Sequence, residues 1–403
     1  MNIRIALRNV FRNRRRTAFS LAVIIVGMSV FLFVLGFINE ALRSTKLSLA
    51  CETGAVQVAD RRSFENEADG YDALISPDAR AGVVDLLSDM PGVIGHGARL
   101  TFAGLVGDET GSTLIIGRGE TPYTSVRGYE CLTVDGAGLP AGDERRVVLG
   151  RARADKLDVG PGDRINIATG TVSGNFNAAT VEVVGTASAA IEDLEAQLGL
   201  FSLGFVQRLL KTDGIERILI GLDDLDDAEA FAEELQLRLD DAGIPLETRT
   251  WQELNASYES LRTFYAAFSG LAGLAVFVLV FFSVVEVLTI SFLERTREIG
   301  TVRAFGTPRG RVFGTFLLEG LFLGAIGAVL GAIVGTAITL VFNAIGLTWT
   351  PPGAATAQVL RLGLGPSTVI APFVTALLAT LIGAILPAWK NARRPVVDAL
   401  RSV

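Results

Sequence analysis

A long uncharged run stands near the amino terminus: residues 17–38 read TAFSLAVIIVGMSVFLFVLGFI. A helix rises about 1.5 Å per residue, so this run is long enough to cross about 30 Å of hydrocarbon. A cleaved signal peptide is the alternative, but the run is longer than a signal-peptide core and no small-residue cleavage site follows it closely. We therefore predict that residues 17–38 form the first transmembrane helix.

Three further apolar stretches lie in the carboxyl-terminal part of the chain, at residues 264–293, 312–347 and 367–388. Each holds at most one charged residue and is long enough to span a bilayer. Of the 403 residues, 50% are hydrophobic and only 20% are charged, which is too apolar for an ordinary soluble protein. The predicted fold class is an α-helical membrane protein with four transmembrane helices.

Basic residues flank the predicted spans at three places. Six arginines lie in residues 1–16, five lie in the connection 294–311, and four basic residues lie in the tail 389–403. Because basic residues in short flanking segments stay cytoplasmic, both termini and residues 294–311 should face the cytoplasm. Residues 39–263 and the loop 348–366 are then extracytoplasmic. We expect a multi-pass protein of the inner membrane whose large domain is periplasmic or extracellular.

The segment between the first two spans is acidic. Residues 41–265 carry 20 basic and 37 acidic side chains, whereas the remainder carries 16 basic and 6 acidic ones. Short β-rich runs alternate there with glycine-rich turns, and one amphipathic helix is predicted at about 226–241. The β-rich runs lie at 113–116, 147–149, 164–168 and 181–184. We predict a mixed α/β extracytoplasmic domain inserted between helices 1 and 2.

Helical spacing extends beyond both spans that flank this domain. Ahead of the second span, apolar residues recur at alternating steps of three and four, which is the spacing of a coiled-coil seam. The seam consists of Trp251, Leu254, Tyr258, Leu261, Tyr265 and Phe268. A single helix over 251–293 would be about 65 Å long, so part of it must stand outside the membrane. We predict stalk helices at about 39–49 and 251–263. The alternative is that both segments are ordinary helix ends packed under a domain, which would show the same period.

The acidic segment contains few groups with reactive chemistry. Cys51 and Cys131 could form a disulfide in an oxidising compartment, but at this separation we expect them to be unpaired. His96 lies between two glycines and is predicted to be a turn residue and not a ligand. We identify no catalytic or metal-binding constellation. None of the four lysines follows a glycine, as the phosphate-binding loop of an ATPase requires.

Two charged residues fall inside the predicted spans. Glu286 and Glu319 each lie about two helical turns from the cytoplasmic end of a span. The favoured interpretation is a carboxylate that reaches water or pairs with arginines of the loop, and the alternative is a proton or substrate role. The third span also carries two runs of glycines at steps of four, three residues apart, which predict a face for close helix packing. These glycines are Gly320, Gly324, Gly327, Gly331 and Gly335.

Three short segments resemble a known family. They are ALRNVFRNRRRT at 6–17, within a predicted amphipathic helix at 1–16, ERTREIGTVRAFGTP at 294–308, and LPAWKNARRPVVDALR at 386–401. With the long domain between spans one and two, they resemble the FtsX-like permeases, the superfamily of the macrolide exporter MacB and the lipoprotein-releasing LolC/LolE pair. In that family the second segment reads close to Glu-Arg-x-x-Glu-Ile-Gly-x-x-x-Ala-x-Gly.

The resemblance implies the permease subunit of an ABC transporter that exports or extracts lipoprotein, lipid or another hydrophobic cargo. Its layout is closest to the lipoprotein-releasing permeases. The alternative is a signalling module that regulates an extracytoplasmic partner such as a cell-wall hydrolase. The resemblance also implies that the connection 294–311 is a coupling helix that rests on the ATPase. The implied ATPase-coupling residues are Glu294, Arg297, Glu298, Ile299, Gly300, Arg303, Ala304 and Gly306.

The resemblance also implies which partners and cofactors belong to this chain. We expect two copies of a separate ATPase subunit, which bind ATP and magnesium, and a second permease chain that is identical or related. The membrane is a further partner, and an extracytoplasmic lipoprotein carrier is a candidate partner. Nucleic acid is not an expected partner. The chain itself is then not an enzyme and holds no cofactor.

Overall fold

The computed structural model of this chain describes residues 14–65, 71–107, 111–121, 133–138, 144–188, 198–349 and 358–395. The chain forms two compact units. The helical unit comprises Met1–Arg43, Leu261–Leu347 and Val359–Val403, and the sheet unit comprises Ser44–Ser260 and Thr348–Gln358. The amphipathic helix predicted at 1–16 lies outside the described residues, except for its last three positions.

The helices are, in chain order, α1 (Arg14–Thr53), α2 (Arg61–Phe64), α3 (Pro77–Ser88), α4 (Arg151–Leu157), α5 (Leu203–Leu210), α6 (Ala228–Asp241), α7 (Trp251–Leu254), α8 (Ala256–Glu294), α9 (Thr296–Ala304), α10 (Arg309–Ile345) and α11 (Pro366–Ala392). Four of them, α1, α8, α10 and α11, are long and apolar enough to cross a membrane. Among the described residues these are the candidate spans, in agreement with the four predicted from the sequence.

The strands are β1 (Val56–Ala59), β2 (Val93–Gly107), β3 (Ser112–Glu120), β4 (Thr133–Gly136), β5 (Arg146–Gly150), β6 (Arg164–Gly170), β7 (Phe176–Ser188), β8 (Leu198–Ser202), β9 (Arg217–Leu222), β10 (Glu247–Thr250), β11 (Thr348–Trp349) and β12 (Gln358–Val359). Within the described residues, β1 to β10 form one mixed sheet, and β11 pairs with β12. The four β-rich runs predicted from the sequence fall in β3, β5, β6 and β7, so they are confirmed as strands.

Six strands of the sheet close into a ring. β2 pairs with β3, β3 with β8, β8 with β5, β5 with β7, β7 with β6, and β6 with β2. The rings of Phe102 and Phe201 lie 5.6 Å apart within the buried core, and α5 packs against several of these strands. The first half of β2 pairs with β9, to which β1 and then β10 are added.

The predicted amphipathic helix at 226–241 is confirmed as α6. Its apolar side chains Phe231, Leu235 and Leu239 recur every four residues and are at most 8% exposed. Residues spaced by four lie on one helix face, so these three side chains enter the core of the sheet unit together. The carboxylates of α6 include Glu233, which is exposed.

A buried charge network lies where α1 ends in the sheet unit. Arg99 Nε lies 2.6 Å from Glu120 Oε1, and Arg99 Nη2 donates a hydrogen bond of 2.9 Å to the backbone oxygen of Glu52. Arg118 Nη1 lies 2.6 Å from Glu52 Oε1. Burial alone would lower the pKa of Arg99, but attraction to Glu120 and Glu52 outweighs it, so the pKa of Arg99 is raised and the guanidinium stays charged.

Two expectations about the acidic segment are wrong. Cys51 is 8% exposed and disulfide-bonded, although we expected an unpaired thiol. The chain has only one other cysteine, Cys131, which lies outside the described residues. His96 lies in β2 and not in a turn, because the run from Gly95 to Arg99 pairs with β9.

The helical unit is held by close packing between its long helices. Gly320 and Gly324 face α11, where an added Cβ would lie 2.5 Å from Ala384 Cβ and 2.1 Å from Thr380 Oγ1. Further along α10, an added Cβ at Gly331 would lie 2.9 Å from Met28 Cβ of α1. Glycine therefore permits both contacts, and the predicted close-packing face is confirmed as contacts within one chain.

Several helix ends differ from the predicted spans. The third span was predicted at 312–347, but α10 ends at Ile345 because Gly346 adopts a positive φ of 64°, which terminates a helix. The fourth was predicted at 367–388, yet α11 continues to Ala392, so the predicted tail at 389–403 begins as helix. The first stalk, predicted at about 39–49, continues as helix to Thr53.

The second stalk is not one continuous helix. α7 begins with a capping box, in which Thr250 and Glu253 satisfy each other's backbone amides, and it ends after one turn. Asn255 leaves the helical conformation, with φ −128° and ψ 63°, and its Nδ2 donates a 2.7 Å hydrogen bond to the backbone oxygen of Trp251. Such local bonds compete with helix propagation. The predicted unbroken helix over 251–293 is therefore wrong, and α8 starts afresh at Ala256.

Candidate functional site

The short helix α9 joins two candidate spans, α8 and α10. Arg295 separates α8 from α9, with φ −110° and ψ 8°, and the hydroxyl of Thr296 donates to the backbone oxygen of Phe292 at 3.1 Å. At the other end, Gly306 adopts a φ of 93° that favours glycine, and Pro308 caps α10. Two tight turns thus isolate α9 as a separate helix within the predicted connection 294–311.

The inner face of α9 packs on the helical unit. Thr296 and Gly300 are buried, and Ile299 packs against a cluster formed by Phe292, Val312, Phe316 and Ala388. Arg303 donates a hydrogen bond to the backbone oxygen of Arg394, which follows α11. Of the predicted coupling residues, Ile299, Gly300 and Arg303 therefore support α9 and are not part of its outer surface.

The outer face of α9 combines charge with apolar side chains. Arg297, Glu298, Ala304 and Gly306 are exposed. Val302 is 51% exposed, and Phe305 is 87% exposed. A phenylalanine this open at the end of a short helix is a feature of binding surfaces, because its large apolar area is stabilised when a partner covers it. Phe305 was not among the predicted coupling residues, although it stands between two of them in the sequence.

The remaining predicted coupling residue, Glu294, ends α8. Its Oε1 lies 2.6 Å from Arg16 Nη1 at the start of α1, and the two side chains are 45% and 40% exposed. Because solvent screens exposed ion pairs, this contact contributes little to stability.

A buried ion pair connects the start of α9 to α10. Arg295 Nη1 lies 3.0 Å from Glu319 Oε1, and the two side chains are only 15% and 4% exposed. Arg295 Nε lies 3.5 Å from Glu298 Oε2, and the guanidinium lies 6.0 Å from the Phe316 ring centroid. The interpretation of Glu319 as a partner of a loop arginine agrees with this contact. Arg295 itself was missed as a site residue, since its partner lies 24 residues further along the chain.

A cavity of about 270 Å³ lies beside this ion pair. Side chains of α9 and of the first turns of α10 form its walls. They are Arg295, Glu298, Ile299, Val302, Thr307, Arg311, Val312, Thr315, Phe316 and Glu319. The packing between α9 and α10 is therefore incomplete next to the Arg295–Glu319 contact.

Glu286, the other charged residue inside a span, differs from Glu319. It is exposed on the surface of α8, and no ion pair or hydrogen bond joins it to another described residue. Its predicted role stays a prediction. The described residues hold no group of three or more histidine, cysteine or acidic side chains arranged to bind a metal ion.

The seam residues predicted for the second stalk are divided between two helices. Trp251 and Leu254 belong to α7, whereas Tyr258, Leu261, Tyr265 and Phe268 belong to α8. Trp251 is 1% exposed and its ring contacts that of Tyr258 at 4.7 Å. Phe268 is 47% exposed, so the seam is not buried along its whole length within this chain.

These features define a class of protein: an integral membrane protein with four candidate spans, a folded α/β unit and a short helix between two of the spans. Residues 17–237 match the family described as MacB-like periplasmic core domain, and residues 270–396 match the family described as FtsX-like permease C-terminal. The chain belongs to this family of FtsX-like ABC transporter permeases with a MacB-like periplasmic core domain.

Several relatives support the assignment. The lipoprotein-releasing system transmembrane protein LolC of Xylella fastidiosa is 22% identical over 271 residues, which are 64% of this chain and 65% of that protein. The macrolide export ATP-binding/permease protein MacB of Hyphomonas neptunium is 30% identical over 119 residues, 30% of this chain and 16% of that one. The uncharacterized ABC transporter permease YknZ of Bacillus subtilis is 31% identical over 118 residues, 29% of this chain and 27% of that one.

A solved structure is also similar to part of the chain. The periplasmic region of MacB from Actinobacillus actinomycetemcomitans is 13% identical, with a TM-score of 0.36, and the match covers 51% of this chain and 94% of that one. The chain thus spans somewhat less than two thirds of the LolC relative and about a sixth of the MacB relative.

Proposed function

We propose that this chain is the permease subunit of an ABC transporter and that separate ATPase subunits dock on the outer face of α9. The observation that carries this proposal is the exposed Phe305 directly after α9, on the same short connection as the exposed Arg297 and Glu298. An exposed apolar side chain and exposed charges on one short connection suit a protein partner, because the apolar side chain supplies buried area and the charges supply specificity. ATP and magnesium would be bound by that partner.

The proposed orientation places α9 and both termini in the cytoplasm and the sheet unit outside. The basic residues of the connections support it, since such residues remain cytoplasmic. In this arrangement the large domain is inserted between the first and second spans and faces the periplasm or the cell exterior. The membrane would be the inner membrane, as expected for the family.

The proposed mechanism is mechanical. Nucleotide binding draws two ATPases together and displaces the α9 helices of two permease chains, identical or related. The chain passes from the helical unit to the sheet unit between Arg43 and Ser44, within α1. It returns between Ser260 and Leu261, within α8. These two helices would carry the displacement to the sheet unit.

Contacts inside the sheet unit support a stalk role for the segments next to these passages. Lys46 of α1 forms an ion pair with Asp226, and its Nζ lies 5.9 Å from the ring centroid of Trp251 in α7. Trp251 Nε1 donates a hydrogen bond of 3.4 Å to the backbone oxygen of Leu225. The first stalk and the start of the second therefore meet at one place.

The proposed cargo is a lipoprotein, a lipid or another hydrophobic molecule extracted or exported from the outer side of the membrane. An extracytoplasmic lipoprotein carrier would then receive it. The relatives are described variously as lipoprotein-releasing and macrolide-exporting, so membership of the family does not identify the cargo of this chain. Purification of the chain with its ATPase, followed by mass spectrometry of co-purifying lipids and proteins, tests this. Recovery of a cell-wall hydrolase and no lipid or lipoprotein would favour the signalling alternative.

We expect Phe305→Ala to weaken binding of the ATPase to the permease by about 10- to 100-fold, because burial of a phenylalanine contributes about 1.5–3 kcal/mol. The paired reversal Arg297→Glu with Glu298→Arg should dissociate the ATPase or uncouple its hydrolysis. Binding is measured by titrating the purified ATPase against the permease in nanodiscs. Ile333→Ala is the control, since Ile333 is 60% exposed on the span α10 and far along it from α9. Unchanged binding in Phe305→Ala, together with unchanged binding and normally coupled hydrolysis in the paired reversal, would contradict the docking surface.

We expect a cysteine at Glu233 to react with a membrane-impermeant thiol reagent in intact spheroplasts and a cysteine at Thr301 to remain unlabelled. Both positions are exposed on helices, α6 and α9, so access depends on the side of the membrane and not on burial. Leu200 would be a poor choice in the same domain because it is only 4% exposed. Permeabilised cells should label both sites, and the reverse pattern in intact cells would overturn the orientation.

A further inference from the structure

Arg295 occupies a point at which movement of α9 can pass to the neighbouring spans α8 and α10. Its backbone forms the break between α8 and α9, and its side chain reaches α10 through Glu319. A third group, Glu298 of α9, lies 3.5 Å from the same guanidinium. One side chain therefore connects the end of one span, the short helix and the next span.

The Arg295–Glu319 ion pair is strong and directional. Glu319 is 3% exposed as a residue, so neither solvent nor salt screens the contact effectively. An arginine presents its donors in a rigid planar fork, which resists relative displacement of the two helices better than a flexible lysine would. The exposed Arg16–Glu294 pair lies at the end of the same helix α8 but lacks this protection from solvent.

Apolar packing alone does not hold α9 rigidly against α10. Ile299 contacts the cluster of Phe292, Val312 and Phe316, but the cavity of about 270 Å³ opens beside it. A displacement of α9 toward this space could be absorbed by side-chain rearrangement, because the missing atoms offer no resistance. A fixed polar contact across the same junction removes that freedom.

We propose that Arg295 and Glu319 are positioning residues that transmit displacement of α9 to α10. The inference rests on the proposed function, in which α9 is the helix that the ATPase moves. Arg295 itself lies inside the junction and is not part of the outer face on which the ATPase would dock. Loss of the ion pair should therefore separate ATP hydrolysis from movement of the spans while the ATPase remains bound.

The test uses the full chain with its ATPase in nanodiscs and measures a distance between two spin labels. The labels are placed at Leu274 of α8 and Ile333 of α10, which are 58% and 60% exposed on the outside of their helices. The distance distribution is compared without nucleotide and after trapping with ATP and vanadate. ATPase binding and ATP hydrolysis are measured on the same samples.

We expect Arg295→Gln to remove most of the nucleotide-dependent change in distance, while the ATPase still binds and hydrolyses ATP. Arg295→Lys keeps the charge without the rigid fork and should retain more of the change than Arg295→Gln does. Arg16→Gln, which removes the exposed pair, should behave as wild type. A full change in Arg295→Gln, or an equal loss in Arg295→Lys or Arg16→Gln, would overturn the proposal.

Removal of one member of a buried ion pair can prevent folding, so a second variant is needed. Arg295→Met combined with Glu319→Leu removes both charges and fills the same space, which proteins often tolerate. It should bind the ATPase and hydrolyse ATP, yet lose the change in distance. If this variant moves as wild type does, or if neither variant assembles with the ATPase, the pair serves structure only and the proposal fails. A wild-type complex that shows no change, or no bound ATPase, would instead refute the proposed function.

Discussion

Ser260→Pro is expected to insert in the membrane, bind the ATPase and hydrolyse ATP at the basal rate, yet to lose ATP-driven release of cargo. Ser260 is the fifth residue of α8, so its amide belongs to the hydrogen-bonded part of the helix. A proline in a helix interior removes that bond and clashes with the preceding turn, which costs about 3 kcal/mol or more and bends the axis. The measurement is the loss of co-purifying lipid or lipoprotein from the complex after ATP is added.

The chain offers two matched controls for this variant. Ser257→Pro introduces the same residue only three positions earlier, but Ser257 lies in the first turn of α8, where amides have no partner within the helix. It should retain release. Ser260→Ala should also retain release, because alanine favours a helix and the side chain of Ser260 is exposed. Normal release by Ser260→Pro would mean that α8 is a passive tether.

Arg99→Leu is expected to lower the free energy of unfolding of the sheet unit by about 3–5 kcal/mol, because it removes one member of the buried Arg99–Glu120 ion pair. Glu120 is only 5% exposed, and Arg99 also holds the backbone oxygen of Glu52 at the end of α1. The measurement is urea unfolding of the purified chain in detergent, followed by fluorescence of the buried Trp251.

Arg238→Leu is the control for this loss of charge. Arg238 pairs with Glu234 at 2.6 Å on the outside of α6, and the two side chains are 36% and 52% exposed. Exposed helix pairs of this spacing contribute only about 0.3–0.5 kcal/mol. If Arg99→Leu unfolded at the same urea concentration as Arg238→Leu, the buried network would be irrelevant to the stability of the domain.

Properties that depend on residues close together along the chain could be predicted from the sequence. The four spans were evident from apolar runs, since a bilayer requires a minimum length of continuous hydrophobic helix. The strand around residues 113–116 followed from a β-rich run between glycine-rich turns, and the helix α6 followed from an amphipathic pattern with a period of 3.6 residues. The short helix α9 was expected from its resemblance to the permease family, although its bounds at Thr296 and Ala304 came from the structure.

The break at Asn255 shows how a periodic pattern can mislead. The seam from Trp251 to Phe268 predicted one helix, because apolar spacing reports which face is buried and not whether the backbone is continuous. A signal of the start was present: Thr250 and Glu253 have the spacing of a capping box. The end after one turn was not evident, since the bond from Asn255 to Trp251 is one of several that an asparagine side chain can form.

The class of protein, the number of candidate spans and the position of the connecting helix could be predicted from the amino-acid sequence. The folded chain was needed to show which residues of that helix face outward, that Arg295 pairs with Glu319, and that six strands close into a ring. It also decided that Gly320 approaches α11 while Gly331 approaches α1. The physical reason is separation along the chain: hydrophobic length and period are local properties, whereas ion pairs, strand partners and helix contacts join residues that only folding brings together.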